Sequence, residues 1–192
     1  MNKNIDFGTV ADLYDVYVQW DTDVPFFRDR CAPVTGRILE LMCGTGRLSI
    51  PLLQSGSHLT CVDYSAEMLR VLERRLSEHG LTADVHEADV RTLDLGRQYE
   101  LILLPFHSFS EIVDREDRSR ALMRIRKHLA PHGDFLISLH NPAVQVPHLD
   151  GTRRQICERP IPGDKALRVW STVNARTDQG IAQGLQEYEN SG

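Results

Sequence analysis

No apolar run in the chain approaches the ~18 residues that a membrane-spanning helix requires, so a helical membrane protein is not expected. Met1 to Asp6 also lacks the apolar core of a secretory leader. The four cysteines, Cys31, Cys43, Cys61 and Cys157, form no C-x-x-C pair. That spacing is poor for a zinc site or a disulfide framework, and it leaves free thiols in a reducing compartment, the cytosol, as the expectation. Basic charge is not in excess either, because 22 Lys and Arg stand against 27 Asp and Glu for a net charge of −5. A sequence-independent nucleic-acid binder or a polybasic membrane-surface protein needs the opposite balance. There is no internal repeat and no low-complexity segment. With 26% charged residues, 13 Gly and 9 Pro, the chain is neither disordered nor collagenous. At ~150 residues per domain, 192 residues make one domain, or one domain with a small appendage.

What is present changes character twice along the chain. Residues 1–35 are aromatic-rich, with apolar residues at helical spacing from Val10 to Trp20 and a second short helix expected from Pro25 to Cys31. From Gly36, strands alternate with helices. Strands are expected at Arg37 to Leu41, His58 to Asp63, Ala83 to Glu87, Tyr99 to Leu104 and Phe135 to Leu139. Between them lie Gly46 to Gln54, a helix capped by Ser65 with a Met68, Leu69, Leu72, Leu76 stripe, and Arg115 to Leu129 with Leu122, Ile125 and Leu129 inward. The expectation for 36–142 is therefore an α/β, Rossmann-like doubly wound and mostly parallel sheet. Residues 143–192 read as an antiparallel extension, with strands near Arg153 to Glu158, Leu167 to Ala175 and Ile181 to Tyr188 and a turn at Asp178-Gln179-Gly180.

The chemistry points to the ends of the early strands. Glu40-Leu41-Met42-Cys43-Gly44-Thr45-Gly46 closes the first strand and opens a helix, where open parallel sheets bind ligands. Gly44 and Gly46 let the backbone approach a ligand closely. Asp63, at the end of the second strand, is placed to accept from two ribose hydroxyls. These features suggest a nucleoside. The dinucleotide fingerprint lacks its third glycine, since Ser49 stands there, and Glu40 would repel a pyrophosphate. A nucleoside carrying an ammonium and a sulfonium and no phosphate, such as S-adenosylmethionine, would be attracted.

With Ala88-Asp89-Val90 and Leu104-Pro105-Phe106 following in order, the chain from about Tyr14 to Tyr188 resembles the class I S-adenosylmethionine-dependent methyltransferases. The likeness is to small-molecule types with an ELxCGTGR first motif. The resemblance implies that Glu40 and the backbone of Met42 and Gly44 hold the methionine part, with Gly46 closing the loop, and that Asp63 binds the ribose diol. Tyr64 and Met68 would wall the adenine, Asp89 would accept from its amino group beside Val90, and Pro105 would lie under the sulfonium. Met42 departs from the family, which often has glycine there. Tyr14 and Tyr17 match an N-terminal region that caps cofactor and acceptor, although helical spacing equally makes them core residues. Phe106, Ser108 and Trp170 would line the acceptor pocket. His107 is either a base or a pocket wall, and His140 is the second candidate base. No metal is expected.

Three functions remain open on these residues: a methyltransferase acting on N, O or C of a small molecule, a regulatory subunit with that fold, and a nicotinamide oxidoreductase. Leu104-Pro105-Phe106-His107 is not the Asn-Pro-Pro-aromatic loop of base or glutamine methylation. The Arg-rich helix from Arg115 reads as a solvated face rather than a nucleic-acid surface. The resemblance leads to further closing strands after the fifth, whereas the tail resembles the antiparallel insertion that precedes them. A homo- or heterodimer completing that sheet edge is therefore expected, the alternative being that Leu167 to Tyr188 itself supplies the missing hairpin and leaves a monomer.

Overall fold

The computed structural model describes residues 7–163 and 165–191. Met1 to Asp6, considered above for a leader, lies outside the described residues. The chain divides into two compact units. One holds Trp20–Leu139 with the residues up to Asp15, and the other holds Val16–Gln19 with the residues from His140 onward.

The first unit contains helix α1 (Phe7–Tyr17) up to Asp15, then α2 (Val24–Cys31), β1 (Ile38–Leu41), α3 (Ser49–Gln54), β2 (Leu59–Asp63), α4 (Ala66–Glu78), β3 (Asp84–Glu87), β4 (Tyr99–Leu104), a single 3-10 turn (Ser108–Glu111), α5 (Arg115–His128) and β5 (Leu129–Ile137). The strands form one parallel sheet in the order β3-β2-β1-β4-β5. β1 and β2 are buried at every residue, which is why they show no apolar–polar alternation, with Glu40, Thr60 and Asp63 as their buried polar positions. Alternation appears instead in which core each residue enters. Ile38, Cys61, Leu101 and Leu103 pack with Phe27, Leu48, Leu52, Leu69 and Leu72 from α2, the glycine-loop helix and α4. Leu39, Leu41, Val62, Ile102 and Leu104 pack on the other side with Ala121 and Ile125 of α5. Each fully buried Leu or Ile contributes about 1.5–3 kcal/mol, so these two layers fix the sheet and the position of its strand ends.

Ser65 caps α4 as the sequence suggests, its hydroxyl accepting from the Met68 amide at 3.3 Å. Two expectations need correction. The inward face of α5 is Ala121, Ile125 and His128, while Leu122 is 44% exposed and Leu129 already belongs to β5. The spacing of that stripe is helical, but an apolar residue one place along drew the reading off register. β5 begins at Leu129 rather than Phe135 because Tyr99 pairs with Leu129 across an irregularity before Leu101 meets Asp134. Pro131 and Gly133 disguise that stretch as a loop.

The second unit is an antiparallel sheet of β6 (Arg154–Ile161), β7 (Lys165–Arg176) and β8 (Ile181–Ser191) in that order. It also carries a four-residue helix α6 (Pro142–Gln145), capped by the Asn141 side chain. Leu167, Val169 and Cys157 are its buried positions. Cross-strand neighbours place Arg168, Glu158 and Glu189 on the face shared by Trp170 and Glu187.

His128 is buried and bridges two backbone groups. Its Nε2 accepts from the Leu95 amide at 2.8 Å, and its Nδ1 lies 2.7 Å from the Arg124 carbonyl, which assigns the Nδ1–H tautomer. His128→Leu strands the Leu95 amide and is expected to lower the urea-unfolding free energy by about 1–3 kcal/mol. A loss below about 0.5 kcal/mol by circular dichroism would contradict that role.

Candidate functional site

Non-glycine residues with left-handed backbone occur in two places among the described residues: Met42 (φ 55°), and Phe106 with His107 (φ 56° and 62°). Each costs about 1–2 kcal/mol relative to the right-handed region. They follow β1 and β4, which are neighbours in the sheet. Such strain concentrates at functional sites, and the crevice beyond these strand ends is where an open parallel sheet takes its ligand. The two glycines of the first turn act differently. A Cβ on Gly46 would stand 2.4 Å from Leu72 Cδ1, so Gly46 lets α4 pack against the turn. A Cβ on Gly44 would meet nothing within 4 Å, so Gly44 faces open space.

Two buried carboxylates flank that space. Asp63 is 6% exposed and accepts from the Gly44 amide at 2.8 Å and the Ser65 amide at 2.9 Å. Burial raises its pKa, against the pull of the Ser65, Gly44 and Tyr64 amides. Glu40 is 1% exposed, and its carboxyl accepts from Ser49 Oγ at 2.7 Å. Burial pushes it up to about 7, with Ser49 and Arg47 opposing. Neither carboxylate is in a salt bridge among the described residues.

Helix α1 is held against the glycine turn by polar ties. Asp15 accepts from Thr45 Oγ1 at 2.6 Å and pairs with Arg75 at 3.1 Å, while Arg75 also donates to the Thr45 carbonyl. Phe7, Ala11 and Tyr14 pack with Met68 and Val71. Met68 is buried in that cluster, and Tyr64 is exposed with its ring edge-on to Phe7. Tyr14 is half-buried, and desolvation raises its phenol pKa, with Glu111 adding to the effect. Arg47 forms a two-point pair with Asp23, donates to the Trp20 carbonyl and lies 4.4 Å over the Phe106 ring. It thereby ties the glycine turn to the turn after β4.

Past β4, Pro105 is buried and the His107 amide donates to Ser138 Oγ at 3.0 Å. The 3-10 turn then brings Ser108 and Glu111 to one side, while Phe109 and Ile112 pack into the second core. Burial pushes the Glu111 carboxyl up to about 7, and the Asp63 charge raises it further. After β3, Val90 is buried, and the Asp89 carboxylate is engaged by the Arg91 side chain, its pKa lowered chiefly by that bond. Arg91 also pairs with Asp117 at 2.7 Å.

The structure thus brings Tyr14, Glu40, Met42, Gly44, Gly46, Asp63, Tyr64, Met68, Asp89, Val90, Pro105, Phe106, His107 and Ser108 into one unit, on the connections after β1, β2, β3 and β4 and on the α1 and α4 helices. Tyr17, His140 and Trp170 belong to the other unit. There the Tyr17 hydroxyl lies 3.2 Å from that of Tyr188, and His140 is exposed. Trp170 lies under the Arg153 guanidinium at 3.9 Å, and Glu187 and Glu189 pair with Arg153. Sequence reasoning missed Arg47, Asp15, Arg91 and Glu111. Arg47 and Arg91 sit inside or beside quoted motifs and were visible as charges without partners. Asp15 and Glu111 carry no spacing signal, because their partners are distant in the chain. Among the described residues no group of three or more His, Cys, Asp or Glu is placed to hold a metal, and no helix is long and apolar enough to cross a membrane.

A parallel doubly wound sheet with a glycine turn and a buried carboxylate at adjacent strand ends defines a Rossmann-like α/β domain. Residues 38–133 match the family model described as "Methyltransferase domain", and the chain belongs to that family. It is similar to the dTDP-3-amino-3,6-dideoxy-alpha-D-glucopyranose N,N-dimethyltransferase of Streptomyces fradiae, 28% identical over 138 residues, covering 68% of this chain and 52% of that one. It is also similar to a demethylmenaquinone methyltransferase of Leptospira interrogans, 32% identical over 147 residues, covering 68% of this chain and 57% of that one. The chain spans about half the length of the curated relatives it matches. The fold is shared with Streptomyces venezuelae DesVI, at a TM-score of 0.70 and 19% identity over 97% of this chain and 83% of that one. It is shared too with SAM-bound CalS10, an amino pentose methyltransferase from Micromonospora echinaspora, at 0.68 and 18% over 99% and 84%.

Gly46→Ala is expected to cost about 2 kcal/mol or more, combining the Leu72 clash with left-handed backbone. Gly44→Ala, which meets no atom, should cost only about 1 kcal/mol. Equal losses in urea titrations would contradict the division of labour between them. Glu40 and Glu111, with pKa values near 7 against 4.5 when unperturbed, hold protons in the folded state that the unfolded chain has lost. Their contribution is full below pH of about 4.5 and lost as pH rises through about 7. Scanning calorimetry from pH 5 to 8 should show the melting temperature of the unliganded protein falling more steeply than that of the Glu40→Gln, Glu111→Gln double variant. Parallel curves would refute the assignment.

Proposed function

We propose that the chain is an S-adenosylmethionine-dependent methyltransferase acting on a small-molecule acceptor. The observation that carries this reading is the pair of buried carboxylates, Glu40 and Asp63, which have hydrogen bonds but no salt bridge among the described residues, near the open side of Gly44. A cation about 4 Å from one such carboxylate gains on the order of 4 kcal/mol at an effective dielectric of about 20, and a phosphate loses a comparable amount. The site therefore suits a positively charged nucleoside and disfavours a nicotinamide dinucleotide. The relatives' names, which include a sugar N,N-dimethyltransferase, support a small acceptor.

In this reading Glu40 and the Met42–Gly44 backbone receive the methionine part, and Asp63 exchanges its Gly44 contact for the ribose diol or shares it. Tyr64 stands at the exposed rim of the adenine wall, and Met68 supports that wall from beneath. Asp89 keeps acceptor capacity for the adenine amino group while Arg91 fixes its orientation. Pro105 forms the floor beneath the reacting methyl. When bound, the co-substrate supplies a sulfonium that activates its own methyl group for in-line displacement. The chain's residues supply alignment, which is worth about 7–11 kcal/mol when reacting atoms are held at near-attack distance. Phe106 and Ser108 line the acceptor side, and His107 stands beside them as wall or base.

Calorimetric titration with S-adenosylhomocysteine is expected to show binding that Asp63→Asn weakens at least tenfold, the loss of a charge-assisted bond of about 1.5–3 kcal/mol. Affinity should rise from pH 6 to 8 as Glu40 ionises, because the ligand's ammonium favours the charged carboxylate. Micromolar NAD binding with none for S-adenosylhomocysteine would overturn the reading.

A further inference from the structure

Glu111 has no place in the roles above, yet it closes the 3-10 turn that follows β4, at the end of the sheet where β1 and β2 carry Gly44 and Asp63. The left-handed pair Phe106 and His107 turns the chain sharply after β4, and the following 3-10 turn is bonded from Ser110 and Ile112 back to His107 and Phe109. Side chains three apart eclipse in such a turn. Phe109 and Ile112 are anchored in the second core, so Ser108 and Glu111 share the remaining side. The electrostatic neighbours of Glu111 lie on other elements. Asp63, at the end of β2, raises its pKa, and Glu111 in turn raises that of Tyr14 on α1, which also feels Arg47, Asp15 and Asp63.

We propose that Glu111 receives the acceptor and selects an amine, its carboxylate holding the acceptor's ammonium group and taking a proton from it. This rests on the methyl-transfer reading above. Charge decides the class. Glu40 lies in β1, Asp63 ends β2 and Glu111 ends the turn after β4, all at one end of the sheet, and Arg47, whose charge reaches Glu40 and Tyr14, is already paired at two points with Asp23. A carboxylate or phosphate on the acceptor would be repelled. An alcohol is too weak an acid for a carboxylate whose acid has a pKa of about 7 to deprotonate, whereas an ammonium ion is within its reach. The step balances: an N–H bond of the ammonium breaks, its proton goes to a Glu111 carboxylate oxygen, and the freed lone pair forms the N–C bond. The C–S bond of the sulfonium methyl donor breaks, with its electrons going to sulfur. The N-methylated ammonium leaves, and Glu111 returns its proton to water.

The test uses the whole chain saturated with S-adenosylhomocysteine and matched fragment sets, in which a sugar, a cyclohexane and a benzyl scaffold each carry an amino, hydroxyl or carboxylate group. Affinities are read by ligand-observed NMR. The amino members are expected to bind about tenfold tighter than their hydroxyl counterparts, the worth of one charge-assisted bond. Glu111→Gln should abolish that preference, and Glu111→Asp should keep part of it. The affinity for S-adenosylhomocysteine should change by less than about threefold in both variants. Equal binding of amine and hydroxyl members overturns the proposal, as does a preference that survives in Glu111→Gln. A loss of S-adenosylhomocysteine binding of about tenfold or more in Glu111→Gln places the residue on the co-substrate instead and also overturns it. Failure of the unaltered chain to bind S-adenosylhomocysteine removes the methyl-transfer reading, and this assignment with it.

Discussion

The hydrogen bond from the Gly44 amide to the Asp63 carboxylate joins the ends of β1 and β2, and the crevice is organised around it. Asp63 also takes the Ser65 amide at the entrance to α4, so one carboxylate sets the glycine turn, the strand end and the helix start together. Keeping it buried and charged, with no salt bridge among the described residues, is expensive. Backbone amides offset part of that cost, and its charge spreads outward to raise the pKa of both Glu111 and Tyr14. Glu40, on the other side of the turn, is in the same position with Ser49 as its donor. A fold stabilised by two apolar layers can carry such a concentration of like charge at one end of its sheet.

The polar ties around the crevice are long-range in sequence and short in space. Asp15 reaches Thr45 and Arg75, and Arg47 reaches Asp23 and the Phe106 ring. They connect three segments, the first helix, the glycine turn and the turn after β4, that no backbone ladder joins. The strain at Met42, Phe106 and His107 persists because these ties and the packing of Phe109 and Ile112 over-determine the turns.

Most of the fold was legible because apolar strands and helical stripes are local signals. Tyr99 to Leu104 was read to the residue, and Ser65 was identified as a cap from its type and place. Errors fell where local chemistry misleads. Pro131 and Gly133 concealed the first half of β5, and Leu122 drew the α5 stripe one residue off the Ala121, Ile125, His128 face. The glycine turn and Asp63 were legible because they sit at the end of a strand, where spacing carries meaning. The position of Glu111 was not, because it is set by the Phe106–His107 reversal, and neither residue is of a type that announces left-handed backbone. Trp170 lies in the second unit with its ring beneath Arg153 and Glu187 across the strand, contacts that depend on strand register and that composition alone does not display.

All four thiols are buried and unbridged, three of them in the unit that holds the parallel sheet and Cys157 in the other. A membrane-permeant or soluble alkylating reagent therefore meets sulfur only when the surrounding structure opens. Mass-resolved labelling of Cys43 and Cys61 against Cys157 turns this distribution into a native clock that times the opening of each unit separately, with no engineered probe.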